Sequence, residues 1–267
     1  MSNSYLVSEA QSERVPILLS VPHCGILFPD EIKDEYNPNL ASQPDDTDWF
    51  VDQLYDFAPA MGITMISARY SRWVIDLNRD PQSKPLYTDG RIITSLCPTT
   101  DFFGKEIYLD KRTEVDSNEI KRRLEVYYHP YHQKIEEILS ELKGEFGKVL
   151  LWDCHSIRQY VPTIRKENFP DLILGDADGT SASPGLIEAA LSELENSGLE
   201  VTHNHPFKGG YITRNFGKPA DNQHALQLEM SKINYMDDLE IRYDFDRAEK
   251  IRTVLKKVFE RLIMQLA

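Results

Sequence analysis

At 267 residues with 41% hydrophobic side chains, the chain can bury one sizeable core and has the composition of a soluble globular protein. Its formal net charge of −13 argues against a nucleic-acid partner, since phosphate binding needs a basic surface, and an anionic substrate would have to be held by local arginines. Three cysteines, Cys24, Cys97 and Cys154, form no CxxC pair, which argues against a disulfide framework or zinc ribbon and fits a reducing cytoplasm.

The N-terminal residues show no basic start followed by an apolar core, so no signal peptide is expected. No apolar run approaches the length of a membrane span. Residues 15–21 read as a buried strand stopped by Pro22 and delivering His23 at its end. A proline- and glycine-punctuated loop follows to about residue 45. Asp45-Asp46-Thr47-Asp48 then precedes Trp49, Val51, Leu54, Tyr55 and Ala58, whose spacing predicts an amphipathic helix with acids at its dipole-positive start. Capping alone would account for that acidic cluster.

Residues 63–67 and 73–77 read as two further strands, the second running into Asn78-Arg79-Asp80-Pro81. From there to about residue 110 the chain is irregular and rich in Pro, Gly, Thr and Asp, as expected of a wall or lid over a site. Ile120, Leu124, Tyr127, Tyr131, Ile135 and Leu139 mark a helix over 114–143, with Pro130 predicted to kink or divide it. Residues 149–152 form a strand that stops in Asp153-Cys154-His155-Ser156, an acid, a thiol, an imidazole and a hydroxyl together. Strands at 171–175, 200–203 and 225–230, helices over 184–194 and 244–266, and a turn or hairpin at 209–214 complete the chain. No repeat or linker divides it, so one catalytic domain over 1–267 is expected. Strands alternating with helices predict an α/β fold with a mixed, largely parallel sheet flanked by helices.

Two apolar runs that each deliver a histidine, His23 and His155, suggest a metal site assembled from separate strand ends. A hydrolytic site keeps three protein ligands and leaves one position for water. The third is expected to be a carboxylate, Asp48 by preference because the apolar helical positions follow it in phase, with Asp46 as the alternative. Glu229, an acid inside the run Leu226-Gln227-Leu228-Glu229-Met230, is the candidate general base, unless strand alternation simply turns it to solvent. Arg72 and the Asn78-Arg79 pair flank residues 73–77, and Asn78 with Arg79 could grip a carboxylate, although either arginine alone could be an ordinary ion-pair partner.

Other chemistry-bearing residues carry weaker readings. Cys24 and Cys154 neighbour the proposed ligands but alternate to the opposite face and are expected in the core. His129 and His132 are read as part of a polar-aromatic helix face, and His203-Asn204-His205 as a solvated turn. Asp153, two residues before His155, is placed on the same face as a supporting acid.

Together, Val21-Pro22-His23-Cys24-Gly25, Asp46-Thr47-Asp48-Trp49, the segment from Ser71 to Arg79, Leu151-Trp152-Asp153-Cys154-His155-Ser156-Ile157, the segment from Phe207 to Arg214, and Leu226-Gln227-Leu228-Glu229 resemble the N-formylglutamate amidohydrolases. The resemblance spans nearly the whole chain in order. It implies a zinc-carboxypeptidase-like (phosphorylase/hydrolase-like) fold related to the aspartoacylases. It also implies hydrolysis of N-formyl-L-glutamate to formate and L-glutamate, a late step of histidine degradation. By that analogy His23, Asp46 or Asp48, and His155 hold one divalent metal, zinc by preference over manganese, cobalt or iron. Glu229 becomes the base, Asn78 and Arg79 the carboxylate clamp, and Arg72 and Arg214 further contacts to the small anionic substrate. The compact His-x-x-Glu ligand pair of the carboxypeptidase relatives is absent, because position 26 is Ile. Two rival expectations are a hydrolase of another N-acyl amino acid or a C-terminal peptide bond, and a non-catalytic binding protein.

Overall fold

The computed structural model describes residues 4–82 and 95–267. Its strands are β1 (Tyr5–Ser8), β2 (Ile17–Val21), β3 (Thr64–Ala68), β4 (Val149–Ile157), β5 (Leu172–Gly175), β6 (Val201–His203) and β7 (Gln223–Ser231). The helices are α1 (Pro38–Ala41), α2 (Val51–Leu54), α3 (Ser117–Arg123), α4 (His129–Phe146), α5 (Pro184–Glu195), α6 (Tyr211–Phe216) and α7 (Phe245–Leu266). The described strands form one seven-stranded sheet in the order β1-β3-β2-β4-β7-β5-β6. β3, β2, β4 and β7 run parallel, as do β5 and β6, whereas β1 joins β3 and β5 joins β7 antiparallel. This is the expected mixed, largely parallel sheet.

Strand alternation divides the core into two layers. Leu19, Leu150, Trp152, Cys154, Leu226 and Leu228 face one side and pack with Leu186 and Ala190 of α5 and Leu255 and Phe259 of α7. Leu18, Val149, Leu151 and Ala225 face the other, against Tyr131, Ile135 and Leu139 of α4 and Ile212 and Phe216 of α6. Each fully buried Leu or Phe contributes about 1.5–3 kcal/mol. α7 forms because Ala248, Ile251, Leu255, Val258, Leu262 and Leu266 recur at helical spacing, and the Asp244 side chain caps it by accepting from the Arg247 N–H.

Several elements differ from expectation for identifiable reasons. The strand expected at 73–77 is a chain of turns, although Trp73, Val74, Ile75 and Leu77 are buried. Asp76 accepts from the Asn78 N–H through its side chain, and that local bond replaces a ladder partner. The helix expected through Ala58 breaks into α2 and a 3₁₀ turn over Ala58–Met61, since Phe50 sits at φ 63° and Pro59 follows. The 114–143 helix is two helices, α3 and α4, joined by a π turn over Leu124–Tyr128 just ahead of Pro130, which has no N–H to give. The strand expected to stop at Trp152 continues to Ile157, so His155 lies inside β4. The turn at 209–214 is instead the start of α6, and edge strand β1 carries no strong apolar pattern. Of the expected wall or lid, residues 83–94 lie outside the described residues, while 95–110 is irregular chain held by Tyr36↔Tyr108 and Thr100↔Glu106 bridges.

Candidate metal centre and active site

The site grows from the face of the sheet that carries α4 and α6. Along β4 the alternation that buries Val149 and Leu151 places Asp153 and His155 on the same side, and along β7 Ala225 is followed there by Gln227 and Glu229. The parallel register sets Asp153 beside Gln227 and His155 beside Glu229. Below this level the face is hydrocarbon and above it is polar.

His23 enters from the turn after β2 and Asp48 from the turn before α2; the Asp48 N–H donates to the His23 carbonyl, 3.0 Å away. The Asp48 Oδ2 lies 3.1 Å from His155 Nδ1 and 3.6 Å from His23 Nδ1. One ligand atom from each of these three buried residues falls within 4.8 Å of the others, a group that can hold a metal ion. His23 Nδ1 has no hydrogen-bond partner although it is buried, which fits a nitrogen aimed at a cation. Asp46 is also buried, but its carboxylate accepts from the Trp73 indole N–H and the Phe102 backbone N–H, both 2.9 Å away. The structure therefore brings Asp48, and not Asp46, between the histidines.

Each imidazole is backed by a second carboxylate on its other nitrogen. His23 Nε2 is 2.8 Å from Asp76 Oδ1, and His155 Nε2 is 3.0 Å from Asp153 Oδ2. Such a partner fixes the tautomer that leaves Nδ1 as a donor to a metal. Asp76 is the member of this cluster to which the sequence reading assigns no role. An acid inside an apolar run, the signal that singles out Glu229, marks it equally.

The charges in this cluster are strongly coupled. Burial opposes ionisation of Asp48, yet the His155 and His23 imidazoles beside it hold its carboxyl well below the usual range. Burial likewise opposes charge on Asp76, but the Arg72 and Arg79 guanidiniums hold it low. Burial would lower His155, yet Asp153 and Asp48 push it well up. Glu229 is driven up to about 8 by burial, with His155 and Arg72 opposing and Asp48 and Asp153 adding to the rise. A carboxyl that titrates near neutrality beside a cation-binding cluster can exchange a proton there.

The arginines line this site in different ways. Arg72 is 5% exposed, donates to Asp76 Oδ2 at 2.6 Å and lies over the Phe102 ring at 4.8 Å. Arg79 sits 3.6 Å from Asp76 Oδ2 with a partly open side chain. Arg214 on α6 is exposed and donates from Nε to the Gly209 carbonyl at 3.0 Å. Asn78 is 3% exposed; its Nδ2 donates to Asp153 Oδ2 at 3.2 Å and lies 2.8 Å from His155 Nε2, which shares that carboxylate. Its Oδ1 accepts from the Ile212 N–H at 2.7 Å. Asn78 thus ties α6 to the histidine cluster. Gly210 makes this possible, since a Cβ there would fall 2.3 Å from the Asn78 amide nitrogen.

The remaining histidines and cysteines stand apart. His129 is exposed, while His132 donates from Nε2 to the Leu77 carbonyl at 2.8 Å, so the two share no ligand. His203 contacts Asp176 at 2.8 Å on β6. Cys24, Cys97 and Cys154 are free, buried thiols; burial raises Cys24 and Cys154 well above the ordinary thiol range. Among the described residues no helix is long and apolar enough to cross a membrane.

The chain has relatives along nearly its whole length. The family model described as N-formylglutamate amidohydrolase matches residues 15–236. A protein named N-formylglutamate deformylase from Pseudomonas putida is 40% identical over 252 residues, covering 94% of this chain and 93% of its own. Its namesake from Pseudomonas aeruginosa is also 40% identical, over 254 residues and the same shares. The crystal structure of an N-formylglutamate amidohydrolase from Ralstonia eutropha superposes with a TM-score of 0.80 at 25% identity, covering 97% of this chain and 98% of that one. A structure from Agrobacterium tumefaciens shares the fold, with a TM-score of 0.74 at 20% identity over 98% and 95% of the two chains. With two thirds and more of its length matched by the family and by relatives of the same name, the chain belongs to the N-formylglutamate amidohydrolase family.

Proposed function

We propose that this chain hydrolyses N-formyl-L-glutamate to formate and L-glutamate, a late step of histidine degradation, as one catalytic unit over 1–267. In this reading His23, Asp48 and His155 hold one divalent ion, zinc. The observation that carries it is the convergence of two carboxylate-backed imidazoles on the Asp48 carboxylate, next to Glu229. The names of the relatives supply the substrate. Two nitrogens and one oxygen are a donor set that suits zinc and leaves room for water. A bound ion supplies a Lewis acid that polarises the formyl carbonyl and makes water a better nucleophile at neutral pH.

This chain's own residues do the rest. Glu229 accepts a proton from the attacking water and returns it to the departing amine as the C–N bond breaks. Arg79 pairs with a glutamate carboxylate at the edge of the site, where its side chain is partly open. Asn78 donates to Asp153, the carboxylate that holds the ring of His155, and Arg72 places a buried positive charge beside Glu229 and the reacting carbonyl. Arg214, exposed on α6, meets the second carboxylate. The three free thiols suit a cytoplasmic setting.

Formate release from N-formyl-L-glutamate tests this reading. Activity lost on chelation and restored by a divalent ion supports it. A folded protein that releases no formate with zinc, manganese, cobalt or iron overturns it; acetylated and succinylated amino acids are then the substrates to assay.

A further inference from the structure

The segment from Asp76 to Arg79 has neither helix nor ladder to hold it, although Asn78 touches His155 and Arg79 faces the edge of the site. Besides the bonds that its main chain makes with Leu96 and Tyr211, it is gripped by two side chains at and just ahead of the start of α4. His132 Nε2 donates to the Leu77 carbonyl at 2.8 Å, and the Tyr128 hydroxyl donates to the Arg79 carbonyl at 2.7 Å. These two carbonyls flank Asn78, and the two donors are four residues apart, on one helix face. The π turn over Leu124–Tyr128 ends at the first of them. π turns are frequent where a helix serves a site.

The His132 ring is itself fixed. It stacks on Tyr128 with centroids 4.1 Å apart and on Phe216 at 5.9 Å, with the Tyr211 edge at 5.7 Å. Burial pushes its pKa down to about 4, so the ring is neutral and holds a single N–H. The Leu77 carbonyl can only accept, which places that hydrogen on Nε2. The same ring therefore touches α6, which carries Arg214, and the segment that carries Asn78 and Arg79.

We propose that His132, with Tyr128, is a positioning residue that sets Asn78 against Asp153, the carboxylate behind His155, and aims Arg79. The inference rests on the reading of His155 as a metal ligand and of Arg79 as the clamp for the substrate.

The test compares His132→Phe, which keeps a ring between Tyr128 and Phe216 but has no donor, with His132→Gln, which keeps an N–H near the place of Nε2. Zinc affinity by chelator competition, and kcat and KM for N-formyl-L-glutamate, are measured on both. The Phe variant is expected to raise KM and to weaken zinc binding, each by roughly tenfold, with a smaller change in kcat. The Gln variant is expected to recover most of both losses. Two folded variants within twofold of the parent, or two that fall equally, overturn the inference, because packing alone would then account for the histidine. Should the parent release no formate, the substrate reading fails and zinc affinity alone decides this one. Should the Phe variant not fold, Tyr128→Phe removes only the donor to Arg79, and an unchanged KM there overturns the inference.

Discussion

His155 and Glu229 are direct partners in the parallel ladder between β4 and β7, so an imidazole and a carboxylate leave neighbouring strands on one face. The register of two central strands, with no loop involved, fixes their separation. A one-residue slip would turn either side chain into the opposite core layer.

Replacement of Glu229 by Gln keeps the shape of the side chain and removes its capacity to take a proton. We expect kcat to fall by roughly 10²–10⁴ while metal content, measured by elemental analysis, stays at the parental level. Near-normal turnover would remove Glu229 from the base role.

The two acids ahead of α2 give opposite expectations. Asp48→Asn takes away the carboxylate between the histidines, so zinc affinity should drop by more than roughly 100-fold, beyond what loss of a ligand's supporting partner causes. Asp46→Asn should leave affinity within a few-fold of the parent and lower stability by about 1–3 kcal/mol, because an amide cannot accept from both Trp73 and Phe102. Chelator competition and urea unfolding on the pair distinguish them, and metal loss in the Asp46 variant alone would reverse the ligand assignment.

Gly210→Ala is a steric test of the same centre. Its Cβ would lie 2.3–2.5 Å from the Asn78 amide atoms, so that amide must move away from His155 and Asp153. Overpacking of this kind costs about 1–3 kcal/mol. The variant should melt lower and lose activity more than it loses stability; parental kcat/KM in the folded variant would mean that the position of Asn78 is not critical.

His132 predicts a pH dependence of stability. Its folded pKa, about 4, lies below the ordinary histidine value because burial disfavours the cation, with His129 adding to the drop and Asp153 and the Leu77 carbonyl opposing it. The unfolded chain therefore takes up a proton first as pH falls. Folded-state stability is lost progressively from roughly pH 6.5 down to the folded pKa, and is unaffected by this group above that range. Melting temperatures of the metal-free protein should decline more steeply over this acid window than those of His132→Phe. Parallel curves would show that the ring does not titrate as described.

Much of this was legible because chemistry was written into apolar runs. Leu226–Met230 and Leu150–Trp152 mark strands by hydrophobicity alone, and the residues that interrupt or end them, Glu229 and His155, are the ones the sheet presents. The choice of Asp48 over Asp46 followed from helical phase, although the helix itself proved only one turn long. What periodicity could not reveal was segment 73–77, where apolar residues are buried on several sides while Asp76 bends the main chain with a local hydrogen bond. In the sequence, adjacency to Arg79 makes Asn78 a candidate substrate contact; its packing against Gly210 and α6 depends on tertiary approach, which leaves no period there.

β7 is the last strand of the chain, yet it lies between β4 and β5 in the middle of the sheet. Until residues 223–231 emerge during synthesis, β4 exposes one open edge, β5 another, and the sheet is two unconnected pieces. His23, Asp48 and His155 are all translated before that closing strand, whereas Glu229 arrives with it. A nascent chain that has made only the residues proposed to hold the ion still lacks the acid proposed to handle protons, which arrives with the strand that closes the sheet.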